Sequence, residues 1–218
     1  MAYNFNGSSQ YLRAQYPAGA LASAWPITLF CRSKSTSLTA TQIAAAYIYG
    51  NSPYNGLLLY MDGASGGDPL SFQRFGIASV ASSVGFTSGV WRSYAGRGSS
   101  NTVFDIDAEG TITTGPTTST TFGNASDIQI GARLTPSINL PLTGDVATVA
   151  LWNALLDDAE CASLIAGFSP RRVRPQSLRW YAPLVRELVV PQRAANPNVA
   201  LSAVGSPTVS DHPRSYGF

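Results

Sequence analysis

Residues 103–114 read Val103-Phe104-Asp105-Ile106-Asp107-Ala108-Glu109-Gly110-Thr111-Ile112-Thr113-Thr114. Two short runs carrying β-branched and aromatic residues flank Asp-Ala-Glu-Gly, the pattern of a β-hairpin that turns on residues 107–110. The same stretch also resembles the first half of a calcium-binding EF-hand loop, with Asp105, Asp107 and Glu109 at alternate positions. The twelfth position of such a loop should carry a bidentate acid, and here it is Pro116. The hairpin therefore explains the residues better. It leaves Asp105, Asp107 and Glu109 as no more than a weak surface calcium site.

Working outward, similar runs recur along the chain at 27–32, 43–49, 57–61, 70–75, 90–95, 102–107, 110–114, 128–131 and 145–152, with 178–181 and 199–204 beyond them. Turn residues such as Asn51-Ser52-Pro53, Asp62-Gly63 and Gly66-Gly67-Asp68-Pro69 separate several of them. No helical patterns alternate with the strands, so the expectation is an all-β antiparallel sandwich. One helix interrupts the pattern near 157–166. Asp157 is a candidate N-cap with Glu160 three residues on, and Gly167 suits a left-handed C-terminal position. Leu156, Leu164 and Ile165 would form its packed face.

The 218 residues are enough for one large sandwich with a substantial core. Charged residues make up only 12% against 44% hydrophobic, which argues against coiled coils and charged disordered chains. No run approaches the roughly 20 apolar residues of a spanning helix, so no membrane partner is expected. The first residues show no basic and apolar leader pattern. The two cysteines, Cys31 and Cys161, make neither a disulfide framework nor a zinc site and read as buried thiols.

Charge is unevenly placed. Residues 1–160 carry a net −3 and residues 161–218 a net +5. Arg171, Arg172, Arg174, Arg179, Arg186 and Arg193 lie within 23 residues. Trp180 and Tyr181 are the only neighbours able to stack on bases, so nucleic acid is not the expected partner. Arginine forks also serve protein interfaces, and Arg171, Arg172, Arg174 and Arg179 are the candidate partner-binding residues. Residues 1–170 are expected to form the sandwich. Residues 171–218 form an Arg/Pro-rich extension, too poor in apolar residues to fold alone, that packs on the sandwich or on a neighbouring subunit.

Catalytic constellations are missing from the sequence. His212 is the single histidine, and no Gly-x-Ser-x-Gly elbow exists for a Ser-His-Asp triad. The three glutamates are scattered, which disfavours the paired carboxylates of glycoside hydrolysis. No phosphate loop or cofactor motif is present, so no cofactor is expected. Tyr47, Tyr49 and Tyr54 cluster, and such rings stack on sugars when exposed or pack in the core when strand-borne.

Five segments together resemble one family. Phe5-Asn6-Gly7-Ser8-Ser9-Gln10-Tyr11-Leu12 is similar to the opening of laminin-G-like, concanavalin A-like jelly rolls of the lectin and glucanase type. Trp25-Pro26-Ile27-Thr28-Leu29-Phe30 resembles the next strand, and Gly89-Val90-Trp91-Arg92-Ser93-Tyr94-Ala95-Gly96 the central tryptophan strand. The 104–110 hairpin and Gly144–Asn153 resemble later and closing strands. The resemblance covers residues 5–168 and implies two opposed antiparallel sheets. The segments at 168–178, 183–186 and 211–214 resemble tails of phage-encoded members.

That resemblance implies three readings. The first is a non-enzymatic bacteriophage virion structural protein, a capsid decoration or fibre-associated jelly roll made in the host cytoplasm. It would touch major capsid or fibre subunits through its arginines, as a homo-oligomer on the particle. The alternative is a lectin-like module that binds surface glycans, with Tyr47, Tyr49 and Tyr54 as its contacts. A hydrolase is the third. The glucanase members' Glu-x-Asp-x-x-Glu strand is absent from this sequence.

Overall fold

The computed structural model describes residues 2–17, 20–22, 24–49, 55–99, 102–116, 125–134, 137–184, 193–194, 201–211 and 213. Its strands are Ala2–Asn6 (β1), Tyr11–Gln15 (β2), Ile27–Ser35 (β3), Thr41–Tyr49 (β4), Asn55–Asp62 (β5) and Pro69–Arg74 (β6). Next come Ala78–Gly85 (β7), Arg92–Gly98 (β8), Phe104–Ala108 (β9), Thr111–Thr114 (β10), Asp127–Ile130 (β11), Arg133–Leu134 (β12) and Ile138–Asn139 (β13). Thr143–Trp152 (β14), Leu178–Ala182 (β15), Arg193–Ala194 (β16), Ser202–Val204 (β17) and Thr208–Ser210 (β18) complete them. The helix α1 spans Asp158–Ile165, and a single 3₁₀ turn covers Pro170–Arg172.

Two antiparallel sheets face each other across the main hydrophobic core. The first runs β10-β9-β8-β3-β14-β1-β18, and the second β17-β2-β11-β4-β5-β6-β7. In the first sheet β14 is long enough to take two partners along one edge. Its first half pairs with β1 (Tyr3 opposite Val146) and its second half with β15 (Leu151 opposite Trp180). Tyr47, Phe72, Phe104, Leu12, Leu151 and Trp180 fill the space between the sheets. A separate cluster of Phe30, Trp152, Leu156, Cys161, Leu164 and Tyr181 lies between the first sheet and α1.

The 104–114 hairpin forms, with a tighter turn than expected. Ala108 pairs with Thr111, so only Glu109 and Gly110 turn, at φ 52° and 84°. Positive φ at both central residues is the two-residue geometry whose twist matches the flanking strands. The Asp107 Oδ1 accepts the Gly110 N–H at 3.1 Å. Helix α1 starts as its spacing predicts. Asp157 accepts the Glu160 N–H at 2.9 Å, and Glu160 accepts the Asp157 N–H at 2.8 Å. Its packed face differs from expectation in one residue. Cys161 is buried with Leu156 and Leu164, while Ile165 is only half-buried.

The residues after 170 add strands to both sheets: β15 and β18 to the first, β17 to the second. Trp180 and Tyr181, considered above as base-stacking residues, are both buried and have no free ring face. Burial pushes the thiols of Cys31 and Cys161 up to about 12, so both are inert packing groups at neutral pH. No described helix is long and apolar enough to cross a membrane.

Candidate functional site

The antiparallel register brings three strand ends together. Thr28 near the start of β3 lies opposite Trp152 at the end of β14, and Trp152 lies opposite Leu178 at the start of β15. Just beyond these pairs stand Trp25, Pro26 and Asn153, and Arg179 follows Leu178 within β15. With Ala20, Leu21, Ala22 and Ala24 they line a cleft of about 410 Å³.

Each wall is fixed by a local cause. The 20–22 segment is pinned by the Tyr47 hydroxyl, which accepts the Ala22 N–H at 2.9 Å and donates to the Ala22 carbonyl at 2.6 Å. The residues after β14 are held by Thr28, whose Oγ1 donates to the Ala154 carbonyl (2.8 Å) and accepts the Leu156 N–H (3.1 Å). The Asn153 N–H donates to the Ser177 carbonyl at 3.1 Å, which fixes its backbone where the residue lines the cleft. Arg179 owes its position to a β-bulge. Trp180 pairs with Leu151 and Leu178 with Trp152, so Arg179 is the extra residue.

The Trp25 ring stands against Gly98, where a Cβ would lie 2.2 Å from a ring carbon. The Arg74 guanidinium sits 5.9 Å from the ring centroid. Replacing Gly98 by alanine is therefore expected to push the indole into the cleft. The expected result is a displaced Trp25 indole N–H resonance in a nitrogen–proton spectrum, with about 1–3 kcal/mol of lost stability. An unmoved resonance would show that the ring is not held by this contact.

The residues singled out from the sequence scatter differently. Tyr47, expected as a sugar contact, is fully buried with its hydroxyl raised to about 12 by burial. It cannot meet a ligand, and it acts on the cleft only by pinning the 20–22 segment. The Tyr49 side chain and Tyr54 lie outside the described residues, as does His212. Asp105, Asp107 and Glu109 do not converge on a cation. Arg97 occupies Asp105 through Nε–Oδ1 (2.7 Å) and Nη2–Oδ2 (3.1 Å), while Glu109 accepts the Ser93 N–H at 2.5 Å. Among the described residues no group of three His, Cys, Asp or Glu side chains could hold a metal ion.

The four partner-binding candidates also separate. Arg171 and Arg172 are exposed on the 3₁₀ turn. Arg174 is engaged within the chain: its Nη2 meets Glu160 Oε2 at 2.6 Å and its Nη1 donates to the Leu155 carbonyl at 2.7 Å. The capping-box acid that starts α1 holds it within the chain. Arg179 faces the cleft. Trp25 and Asn153 carried no functional expectation, because nothing in the local sequence around either points to a ligand. Only the pairing of β3 with β14 makes them neighbours.

No protein-family model matches the chain, and no curated protein does. Solved structures do. A candidate carbohydrate-binding protein from Bacteroides ovatus superposes with a TM-score of 0.71 at 16% identity, over 98% of this chain and 60% of that one. The CBM40 domain of the Ruminococcus gnavus IT-sialidase, bound to α2,3-sialyllactose, matches at 0.52 and 13%, over 70% of this chain and 93% of that domain. The fold is the concanavalin A-like jelly roll. Domain 4 of an extracellular arabinanase from Geobacillus stearothermophilus, in complex with arabinotriose, matches the same jelly roll at 0.52 and 15%, over 68% and 70% of the two chains. This jelly roll spans less than two thirds of the Bacteroides protein.

Proposed function

We propose that the chain is a carbohydrate-binding module that takes a sugar ring in the cleft beside Trp25. The observation that carries this reading is the cleft's chemistry: one aromatic ring, one side-chain amide and one guanidinium around about 410 Å³. A sugar presents an apolar C–H face and a rim of hydroxyls. The indole suits the first, while Asn153 and Arg179 suit the second. The described lining offers groups suited to holding a sugar: an indole, an amide and a guanidinium. The carbohydrate-binding modules among the structural neighbours support the same class of activity. This reading puts the glycan-binding alternative ahead of the virion role.

Replacing Trp25 by alanine is expected to weaken saccharide binding at least tenfold while leaving the two sheets intact. A glycan array on the wild-type chain, followed by titration of the best binder into both proteins, checks this. Unchanged affinity in the variant would remove the cleft from the reading, and an array with no binder would remove the function.

A virion structural role is the second reading, and it rests on the exposed pair Arg171 and Arg172. Density-gradient fractionation of native particles, with this chain followed by mass spectrometry, tests it directly.

A further inference from the structure

We propose that the saccharide held in the cleft carries a carboxylate, and that Arg179 is the residue that selects it. The inference rests on the cleft being a sugar site and adds the charge of the sugar.

Three observations carry it. The first is the company that three other partly buried arginines keep. Arg97 meets Asp105 at 2.7 Å, Arg174 meets Glu160 at 2.6 Å, and Arg13 meets Asp127 at 2.5 Å. Arg179 is likewise only partly exposed, yet among the described residues no carboxylate stands against it. Its Nε is buried without a hydrogen-bond partner, a state the Nε of the paired Arg13 shares, so it is the missing carboxylate that sets Arg179 apart. The second is the lining. The cleft has Arg179 as its one charged described residue, so its wall presents an uncompensated positive charge. A partly desolvated cation is costly until an anion meets it, and that cost is relieved when a ligand brings one. The third is the backbone. As the extra residue of the bulge, Arg179 departs from strict strand alternation, and bulges re-aim side chains beside binding sites.

The guanidinium fork is planar and matches a carboxylate with two parallel hydrogen bonds, which a hydroxyl cannot offer. Trp25 would take the C–H face of the same ring and Asn153 a hydroxyl or amide on its rim. Two kinds of saccharide present this chemistry: uronic acids, with the carboxylate on the terminal ring carbon, and nonulosonic acids, with it beside the anomeric carbon.

Calorimetric titration of the full chain at low ionic strength separates these sources. The probes are trigalacturonate and its methyl ester, and α2,3-sialyllactose and lactose. One acid is expected to bind about 10- to 100-fold more tightly than its uncharged counterpart, the contribution of a charge-assisted hydrogen bond. That preference should shrink as salt is raised. In Arg179→Gln the acid should bind no better than the neutral sugar. Equal binding of acid and neutral forms to the wild-type chain overturns the inference, as does a preference that survives in Arg179→Gln. If that variant does not fold, the acid-against-ester comparison on the wild-type chain decides alone. Neutral sugars binding without any acid preference would leave the sugar site standing and remove only its charge selectivity. No binding of any saccharide would remove the site itself.

Discussion

Replacing Trp180 by alanine is expected to cost about 3–5 kcal/mol of folding stability, the usual loss when a fully buried large aromatic is truncated. Trp180 is buried at 0% exposure on β15, a strand contributed by the Arg-rich extension. Its ring packs between the sheets. Its Nε1 donates to the Tyr16 hydroxyl at 2.8 Å, which ties the extension to the segment after β2 across 164 residues of sequence. Burial raises the Tyr16 hydroxyl and this hydrogen bond opposes that rise, so the pair occupies a site that excludes water. Phenylalanine at 180 should cost less, about 1–3 kcal/mol, because the ring volume is largely kept and only the partner of a buried hydroxyl is lost. Urea unfolding of the three proteins measures both numbers. A loss below 1 kcal/mol for alanine would mean that the extension is an appendage rather than part of the core.

Replacing Arg97 by methionine is expected to cost a similar amount, about 3–5 kcal/mol at pH 7, because it strands buried acid groups. Arg97 is 5% exposed and Asp105 6%, while Asp107 is 1% exposed on the same face of β9. Arg97 also donates to Asp158 at 2.6 Å and to the Leu156 carbonyl at 3.1 Å, so it joins β8 to the first turn of α1. Burial alone would lower its pKa, but its bonds to Asp105 and Asp158 outweigh burial and raise it. Burial raises both aspartates, and Arg97 opposes the rise in each.

The sign of the pH dependence follows from that direction. An acid whose folded pKa is raised holds its proton better in the folded chain. Its contribution is fully present below its unfolded pKa, about 3.9, and is lost as pH climbs through the folded value. Removing Arg97 lifts both folded values further. The variant should therefore fall behind the wild type most at pH 7, and the gap should narrow toward pH 4. A gap independent of pH between 4 and 7 would mean that the loss comes from packing and not from stranded charge.

Elements whose causes are local are legible in the sequence. The start of α1 is set by Asp157 and Glu160, three residues apart, and the 104–114 hairpin by a Glu-Gly step between β-branched runs. Strand β7 goes unread because Ala78-Ser79-Val80-Ala81-Ser82-Ser83 alternates buried and exposed positions with small residues of weak strand preference. Strand β17 falls within the 199–204 run read as a strand, whereas β18, three residues long, goes unread and becomes a strand only by meeting β1. The cleft is less legible still. Its determinants stand at 25, 153 and 179, and register and a bulge, not spacing, bring them together. Tyr47 shows the opposite failure. Its aromatic type suggests a ligand contact, but its position in the inward-facing set of β4 buries it.

The residues from 202 to 210 step from the edge of one sheet to the edge of the other, with β17 covering β2 and β18 covering β1. The strands they cover lie some 200 residues earlier in the chain. At about 5–20 residues per second, their edges wait roughly 10–40 s for covers that lie some 200 residues downstream. During that interval the nascent chain carries two bare rows of backbone donors and acceptors, each able to recruit a strand from another molecule. Closing so long a loop is slow, so this protection arrives late. A chain that stops short of residue 202 lacks both covers, and the bare edges of β1 and β2 are then expected to recruit strands from other molecules.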